Sequence, residues 1–257
     1  MSNHTFASAC LTGTYAVMIT GDGGCLPYAA IGLLTFDGAG LVTGHFTESQ
    51  AGPSFSERTI VNSLYRGRYC MYASGLGHLL HESSEEIDGY LVMREVVDRP
   101  GGPIAQEIAL IFRALDSASG SLRTGVGWRR PEAVKFSNAS LNGHYTGFAI
   151  GRGGQVPVAG FGVLSYDGAG GFSEENVANV QGETIAARQF VNGTDQGRYT
   201  VDVDGTGTVA GGGVLLVITR ATIVDGVARS DEYSFMARSI VPTNGAYFTG
   251  VVRRISD

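Results

Sequence analysis

The sequence predicts an all-β protein built from two tandem antiparallel β-barrels of about eight strands each, with two β-sandwiches as the alternative. Short alternating or apolar segments lie between Gly-rich turns, and 39 of the 257 residues are Gly. No segment has the pattern of a long helix. The chain also contains an internal repeat. Such a repeat is the first feature to consider, because it indicates how the chain divides into domains.

The repeat is long and almost free of gaps. Residues 6–40 align with residues 136–170 at a constant offset of 130, with 16 identities in 35 positions. The offset falls to 125 near the end of each copy, where Thr124 aligns with Thr249. We therefore expect a tandem duplication with domains at residues 1–131 and 132–257, which join near Pro131.

Strands in the first copy are predicted from runs of alternating or apolar residues. They lie at residues 11–20, 28–36, 41–49, 55–64, 66–73, 77–84, 88–98, 104–115 and 123–130. Asp37-Gly38 and Asp167-Gly168 are predicted hairpin turns, because Gly supplies the positive φ that such turns need. A sheet with so many short-looped strands must close or fold over to protect its edges, and the meander order favours a barrel.

The opening strand carries a family resemblance. Leu11, Gly13 and Tyr15 form an L-x-G-x-Y pattern that recurs at Leu141, followed in each copy by a D-G-x-G turn and a G-R-Y strand. At this level of pattern both copies resemble the calycin group, which includes lipocalin-like and allene-oxide-cyclase-like barrels. Each copy has Tyr where the lipocalin G-x-W motif has Trp, so no catalytic residue is carried over. The resemblance implies a cup that binds, cyclises or isomerises a small apolar molecule.

Charge and composition disfavour several classes of partner. The net charge is −6 and is shared about equally between the halves, without an obvious basic face. We therefore expect no nucleic-acid partner and no anionic membrane surface. Three Cys without a C-x-x-C motif, and no signal-peptide pattern, favour a cytoplasmic protein. We expect no metal and no cofactor, and a homo-oligomer is left open.

An Arg–Glu pair is the strongest repeated constellation. Around Gly101 the hairpin register places Arg94 opposite Glu107, and around Gly226 it places Arg220 opposite Glu232. Apolar neighbours on one strand place the pair inside the barrel, whereas those on the other strand place it outside. One interpretation is a salt bridge that fixes the register. The other is a polar handle, in which Arg holds a substrate oxygen and Glu moves a proton.

The remaining candidates come from the parity of side chains along strands. Catalytic candidates are Glu48, Tyr69 and His78, together with Arg94 and Glu107. Candidates for substrate binding are Tyr15, Phe46, Met71, Tyr90, Tyr145, Tyr199, Arg220 and Glu232. The alternative for the tyrosines is a core aromatic ring whose hydroxyl is satisfied, and the alternative for Glu48 is an exposed carboxylate at the rim. His78 and His81 are three apart on a strand, so they point to opposite faces and cannot chelate one ion together.

These observations lead to three functional hypotheses. The first is a cofactor-independent cyclase or isomerase that acts on a small, largely apolar biosynthetic intermediate. The second is a non-catalytic carrier or sensor of a hydrophobic ligand, and the third is an interaction module with filled barrels. The first copy is expected to be the active one, because it keeps the His, Cys and additional Glu residues that the second copy lacks.

Overall fold

A computed structural model describes residues 7–22, 28–51, 58–82, 86–113, 122–132, 134–152, 158–181, 187–209, 213–238 and 247–256. The chain divides into two compact units, and each contains one closed eight-stranded antiparallel barrel. The predicted fold class is confirmed, and the sandwich alternative is wrong because in each barrel the first strand pairs with the last. The exact boundary between the two domains stays a prediction.

The strands follow one another around each barrel in sequence order. The first barrel contains β1 Thr12–Asp22, β2 Tyr28–Asp37, β3 Leu41–Ala51, β4 Arg58–Met71, β5 Leu76–His81, β6 Ile87–Arg99, β7 Gly102–Phe112 and β8 Leu122–Arg129. The second contains β9 Asn142–Arg152, β10 Val158–Asp167, β11 Gly171–Gln181, β12 Arg188–Val201, β13 Thr206–Val209, β14 Val214–Val224, β15 Val227–Arg238 and β16 Tyr247–Ser256.

One strand prediction was wrong. Residues 55–64 and 66–73 were expected to form two strands, but β4 runs without a break from Arg58 to Met71. Tyr65, at the predicted break, and Gly67 both lie inside this strand. Gly67 pairs with His81 on β5, and a Cβ there would lie 2.4 Å from the carbonyl oxygen of Leu80. Gly67 therefore allows close packing inside a strand. Because the two predicted segments form one strand, the first barrel has eight strands instead of nine.

A short 3₁₀ turn precedes each barrel, at Ser8–Cys10 and Asn138–Ser140. We call this end of each barrel the proximal end. The distal end is the one at which the chain passes from β1 to β2, β3 to β4, β5 to β6 and β7 to β8, or between their counterparts in the second barrel. Large apolar side chains fill the first barrel, with Leu11, Phe36, Leu79, Leu91 and Ile108 in its core.

The long hairpins β6–β7 and β14–β15 each contain a bulge at an equivalent place. In β14–β15, residues whose numbers sum to 451 are partners, not 452 as the sequence predicted, yet the bulge still brings Arg220 opposite Glu232. In β6–β7 the bulge places Glu95, and not Arg94, opposite Glu107. Bulges strengthen the local twist, and both lie where the hairpin leaves the body of the barrel.

Candidate functional site

The four repeated tyrosines lie inside the proximal ends of the barrels, with their hydroxyls bonded to backbone carbonyls. Tyr69 Oη donates to the carbonyl of Leu11 at 2.8 Å, and Tyr199 Oη donates to that of Leu141 at 2.7 Å. Tyr15 donates to Ala105 at 2.7 Å and Tyr145 to Ser230 at 2.9 Å. Burial raises the pKa of Tyr69 to about 12. These contacts favour the interpretation of a satisfied core aromatic, and the proposed roles in catalysis and binding stay predictions.

Both Arg–Glu pairs lie on the outer walls. Arg94 Nη1 is 2.8 Å from Glu107 Oε1, and Glu107 pairs across the sheet with the outward-facing Trp128. In the second barrel Arg220 Nε is 3.9 Å from Glu232 Oε1. The two strands of each hairpin predicted opposite sides for these pairs. Both pairs lie outside the lumen, because the bulges turn their side chains away from it. The geometry is that of the salt-bridge alternative.

Glu232 is nevertheless buried, with only 3% of its surface exposed. It accepts hydrogen bonds from Thr219 Oγ1 at 3.0 Å and from Arg253 Nε at 2.7 Å. A buried carboxylate with several donors holds the register of the strands that carry those donors, because removing a donor weakens the compensation of a buried charge. Sequence reasoning found Arg220 but missed Thr219, which lies in the bulge of the same hairpin, and Arg253, which is the partner of Glu232 on β16.

His78 and Tyr90 also lie on the outside of the first barrel. They are cross-strand partners on β5 and β6, and His78 Nδ1 is 2.8 Å from the hydroxyl of the exposed Tyr72. Neither side chain faces the lumen, so a substrate held there would not reach them. Phe46 and Met71 do lie in the core of the first barrel, as their parity predicted.

A ring of polar side chains lines the distal half of the first barrel. We call it the polar belt. It passes around the wall from β8 through β2, β3, β4 and β5 to β6, and consists of Arg123, Tyr28, Glu48, Ser63, Tyr65, His81 and Asp88. Only Glu48 among them was singled out as a site residue from the sequence. Because the rest of the barrel is filled by apolar side chains, the belt is the part of this lumen in which polar chemistry is concentrated.

Glu48 is the centre of one half of the belt. Its carboxylate accepts hydrogen bonds from Ser63 Oγ on β4 and from the Tyr28 hydroxyl on β2. Burial raises the pKa of Tyr28, the Glu48 carboxylate raises it further, and Arg123 acts in the opposite direction. The Arg123 guanidinium lies 3.9 Å from the centroid of the Tyr28 ring, a cation–π contact. A carboxylate is thus held in a fixed orientation beside a cation, at the edge of an apolar core.

Asp88 and Tyr65 form the other half of the belt. Asp88 occupies the bulge between the pairs Leu79–Gly89 and Leu80–Ile87, so it has no partner on β5, and its backbone carbonyl accepts a hydrogen bond from the N–H of Arg113 at 2.8 Å. It is 3% exposed, and neither carboxylate oxygen has a side-chain hydrogen-bond partner among the described residues, while a backbone hydrogen bond to His81 lowers its pKa against the larger effect of burial. The buried Tyr65 hydroxyl also has none there, and the Tyr65 ring contacts the His81 ring at 5.8 Å between centroids.

The second barrel has a different polar interior. Glu174 on β11 lies opposite Asp195 on β12, and Asn176 Nδ2 donates to Glu174 Oε1 at 3.1 Å. Burial raises the pKa of Glu174, and Asp195 raises it as well, against the effect of Asn176. Deeper in the core, the hydroxyls of Tyr166 and Tyr233 are 2.6 Å apart. The two copies have therefore diverged inside while keeping the same proximal ends.

A comparison of the copies shows from the sequence that the belt positions have diverged. At equivalent positions the second copy has Val158 for Tyr28, Ala178 for Glu48, Gly193 for Ser63, Asp195 for Tyr65, Gly211 for His81, Gly213 for Asp88 and Phe248 for Arg123. Gly211 is outside the described residues. Six of seven polar or aromatic-polar side chains become small or apolar, whereas the proximal tyrosines are kept. Polar side chains that are present in one copy and replaced in the other are not needed for the fold, so they are candidates for a function.

The described ranges lack two kinds of feature. No group of three or more His, Cys, Asp and Glu side chains there is arranged to hold a metal ion. No helix in the same ranges is long and apolar enough to cross a membrane.

Comparisons with known proteins identify no family. No family model matches the chain, and no curated protein matches it. Among solved structures, the chain is similar to a porin-like protein from Bacteroides uniformis, with 7% identity, coverage of 99% of this chain and 100% of that one, and a TM-score of 0.18. At that TM-score the two folds do not superpose as wholes, so the similarity carries no argument about this protein.

Proposed function

We propose that the protein is a cofactor-independent cyclase or isomerase that acts on a small, largely apolar biosynthetic intermediate held in the first barrel. One observation carries the proposal: the Glu48 carboxylate faces the lumen between two hydroxyl donors, next to an apolar core. A base in such a setting can take a proton from carbon at one position of a substrate and return it at another. Orientation of a flexible substrate by the apolar wall lowers the barrier further.

Each residue around Glu48 has a role in this scheme. Ser63 and Tyr28 orient the carboxylate through their hydrogen bonds. Arg123 supplies positive charge where the substrate becomes negative, and it is held against the Tyr28 ring. Phe46, two residues before Glu48 on the same strand, belongs to the apolar core that borders this site. No step in this scheme needs a metal or an organic cofactor.

The calycin-like identity belongs to the same proposal. In each barrel a 3₁₀ turn precedes a strand that begins with Gly and Tyr, and an Arg of the last strand reaches back over it. Arg129 Nε donates to the carbonyl of Thr12 at 2.9 Å, and Arg254 Nη2 donates to that of Asn142 at 2.6 Å. This repeated closure supports a cup with one sealed end. A cytoplasmic location and a homo-oligomeric state also stay proposals.

The experiment that tests the function starts from the purified protein. Bound molecules are identified by native mass spectrometry and solvent extraction, then incubated with the protein in D₂O. The unsaturated ketone 3-cyclohexen-1-one serves as a defined second probe. We expect a change of structure with deuterium incorporation, and a fall of about 10²–10⁴-fold in rate in Glu48→Gln. Glu175→Gln, an exposed carboxylate on the outer wall of the second barrel, is the matched control.

The competing function is a carrier of hydrophobic ligands, favoured by the apolar core of the first barrel. A molecule that is bound but recovered unchanged and undeuterated, with equal affinity in Glu48→Gln, would support the carrier. Turnover that is equal in the Glu48 variant and the control would show that Glu48 is not the base.

A further inference from the structure

The second barrel has open space at lumen positions that are sealed in the first barrel. Three core leucines of the first barrel are at most 1% exposed, namely Leu34, Leu79 and Leu110. Their counterparts in the second barrel pack against its core but are only partly buried, namely Leu164, Val209 and Phe235. All three face inward, so their exposed surface borders a space inside the barrel and not the outer wall.

Smaller residues in the second copy account for this space. At equivalent positions, Gly147 replaces Val17, Ala149 replaces Ile19, Asn176 replaces Phe46 and Asp195 replaces Tyr65. The register of the first two strands is the same in both barrels, so each smaller residue occupies the same place on the wall. An eight-stranded barrel is just wide enough to be filled by its side chains or to hold one small ligand. The first barrel is of the filled kind, and the second has room for a ligand.

Two carboxyl groups face this space from neighbouring strands. Leu164, Glu174 and Asp195 form one row across β10, β11 and β12. Residues opposed in this way share a face of the sheet and have Cβ atoms about 5 Å apart. A Cβ at the inward-facing Gly162 would lie 3.1 Å from Glu174 Oε1, which places the Glu174 carboxylate inside the barrel. Asp195 is exposed although it faces inward, so the space beside it is open to solvent.

The charge of this row favours a cation. Burial raises the pKa of Glu174, and Asp195 raises it as well, while the hydrogen bond from Asn176 acts in the opposite direction. Phe248 stands where the first copy has Arg123, and no Arg or Lys among the described residues faces the distal half of this lumen. A cation between the two carboxyl groups would favour the ionised form of both, whereas an anion would add a further negative charge.

We propose that the distal half of the second barrel binds a small apolar molecule that carries one protonated amine. The ammonium group lies between Glu174 and Asp195, and the apolar body contacts Leu164, Val209 and Phe235. Asn176 Nδ2 holds Glu174 Oε1 at 3.1 Å and so fixes the carboxylate beside the lumen. The site lies in a different barrel from Glu48, so it goes beyond the proposed function and does not depend on it.

The test measures binding to the full-length protein by isothermal titration calorimetry with three probes of nearly equal shape. They are cyclohexylmethylamine, a cation at neutral pH, the neutral cyclohexylmethanol and the anionic cyclohexanecarboxylate. We expect the amine to bind most tightly and the carboxylate least. Glu174→Gln and Asp195→Asn should each weaken amine binding about 10-fold or more and change alcohol binding less. Glu175→Gln, an exposed neighbour on the outer wall, is the matched control and should bind as the wild type does.

Filling the lumen tests the site independently of charge. Ala149→Ile restores the residue that the first copy has at Ile19, so it should abolish binding of the amine and the alcohol alike. Ile150→Thr, which restores the first copy's Thr20 on the outer face of the same strand, is the control and should leave binding unchanged. Circular dichroism and thermal melting show whether each variant has folded, and Asn176→Phe is the second filling variant if Ala149→Ile has not.

The outcomes separate this site from the first barrel. Amine affinity that is equal in the wild type and in both carboxyl variants overturns the proposal. Binding that survives in the folded filling variant, or no binding of any probe to the wild type, overturns it too. Glu48→Gln should bind the amine as the wild type does, whatever its effect on turnover. A loss of amine binding in Glu48→Gln but not in Glu174→Gln would place the amine in the first barrel and remove the second site.

Discussion

At the scale of single residues, two tyrosines of one strand have hydroxyls in different surroundings. Tyr69 bonds to the carbonyls of Ser8 and Leu11 and stacks edge-on against Phe36. Tyr65, four residues earlier on the same strand and face, has no such partner in the described part of the chain. The residue type is the same, and the backbone around it decides the role.

The proximal tyrosines should therefore matter for stability. We expect Tyr69→Phe and Tyr199→Phe each to lose about 1–2 kcal/mol of unfolding free energy, because each leaves buried carbonyls without their donor. The two losses should add in the double variant, since the sites share no partner. Chemical denaturation measures the effect, with Tyr90→Phe as the exposed control. Unchanged stability combined with reduced turnover would instead assign these hydroxyls to the substrate.

At the scale of elements, glycines inside strands let the barrels close tightly. Gly32 faces inward on β2, where a Cβ would lie 2.1 Å from the carbonyl oxygen of His45 and 2.8 Å from Phe46 Cα. Gly250 on β16 is equally crowded against the carbonyl of Phe148, also at 2.1 Å. The high Gly content is thus a consequence of strands that approach each other closely, and not only of turns.

Replacing one crowded and one uncrowded glycine tests whether stability depends on the space around the glycine or on the loss of glycine itself. We expect Gly32→Ala to lower the unfolding free energy by about 1–3 kcal/mol, since the added methyl group forces β2 away from β3. Gly213→Ala has open space around its Cβ and is the control; it should be neutral or slightly stabilising. Urea titrations followed by circular dichroism give both values. Equal stability of the two variants would contradict this account of strand curvature.

At the scale of the whole molecule, carboxyl groups with opposite pKa shifts determine how stability depends on pH. Backbone N–H groups of the β2–β3 turn, first Leu41 and then Ala39, lower the pKa of Asp37, and Gly171 and Ala169 do the same for Asp167. Their stabilising effect is present above the ordinary value of 3.8 and is lost as the pH falls through the lower folded pKa. Asp88 and Glu174 have raised pKa values, and they act in the opposite direction.

Glu174 provides the clearest test of this linkage. Its folded pKa is above the ordinary value of 4.5, so the folded chain binds the proton more tightly and loses stability as the pH rises above 4.5. We expect Glu174→Gln to gain thermal stability relative to the wild type between pH 4.5 and 7, because it removes a buried charge that faces Asp195. Differential scanning calorimetry at several pH values measures this, with the exposed Glu175→Gln as control. A difference in Tm that does not change with pH would contradict the raised pKa.

The sequence by itself determined the duplication, the all-β class and the barrel. It also placed Tyr15, Tyr69, Phe46 and Met71 inside, because strand periodicity and Gly-rich turns are local signals. The sequence did not determine the register of the long hairpins, since a bulge at Arg94 shifts the partners by one residue and turns outward a pair whose side the sequence left open. Such a shift depends on the twist of the closed sheet.

The tertiary structure alone decided which polar residues meet. Arg123, Tyr28, Glu48, Tyr65 and Asp88 come from five strands, and no spacing in the chain connects them. Barrel closure brings β8 beside β1 and places their side chains around one lumen. Whether a carboxyl group is exposed, as in Glu175, or buried, as in Asp88 and Glu232, is set by how the strands pack around each lumen.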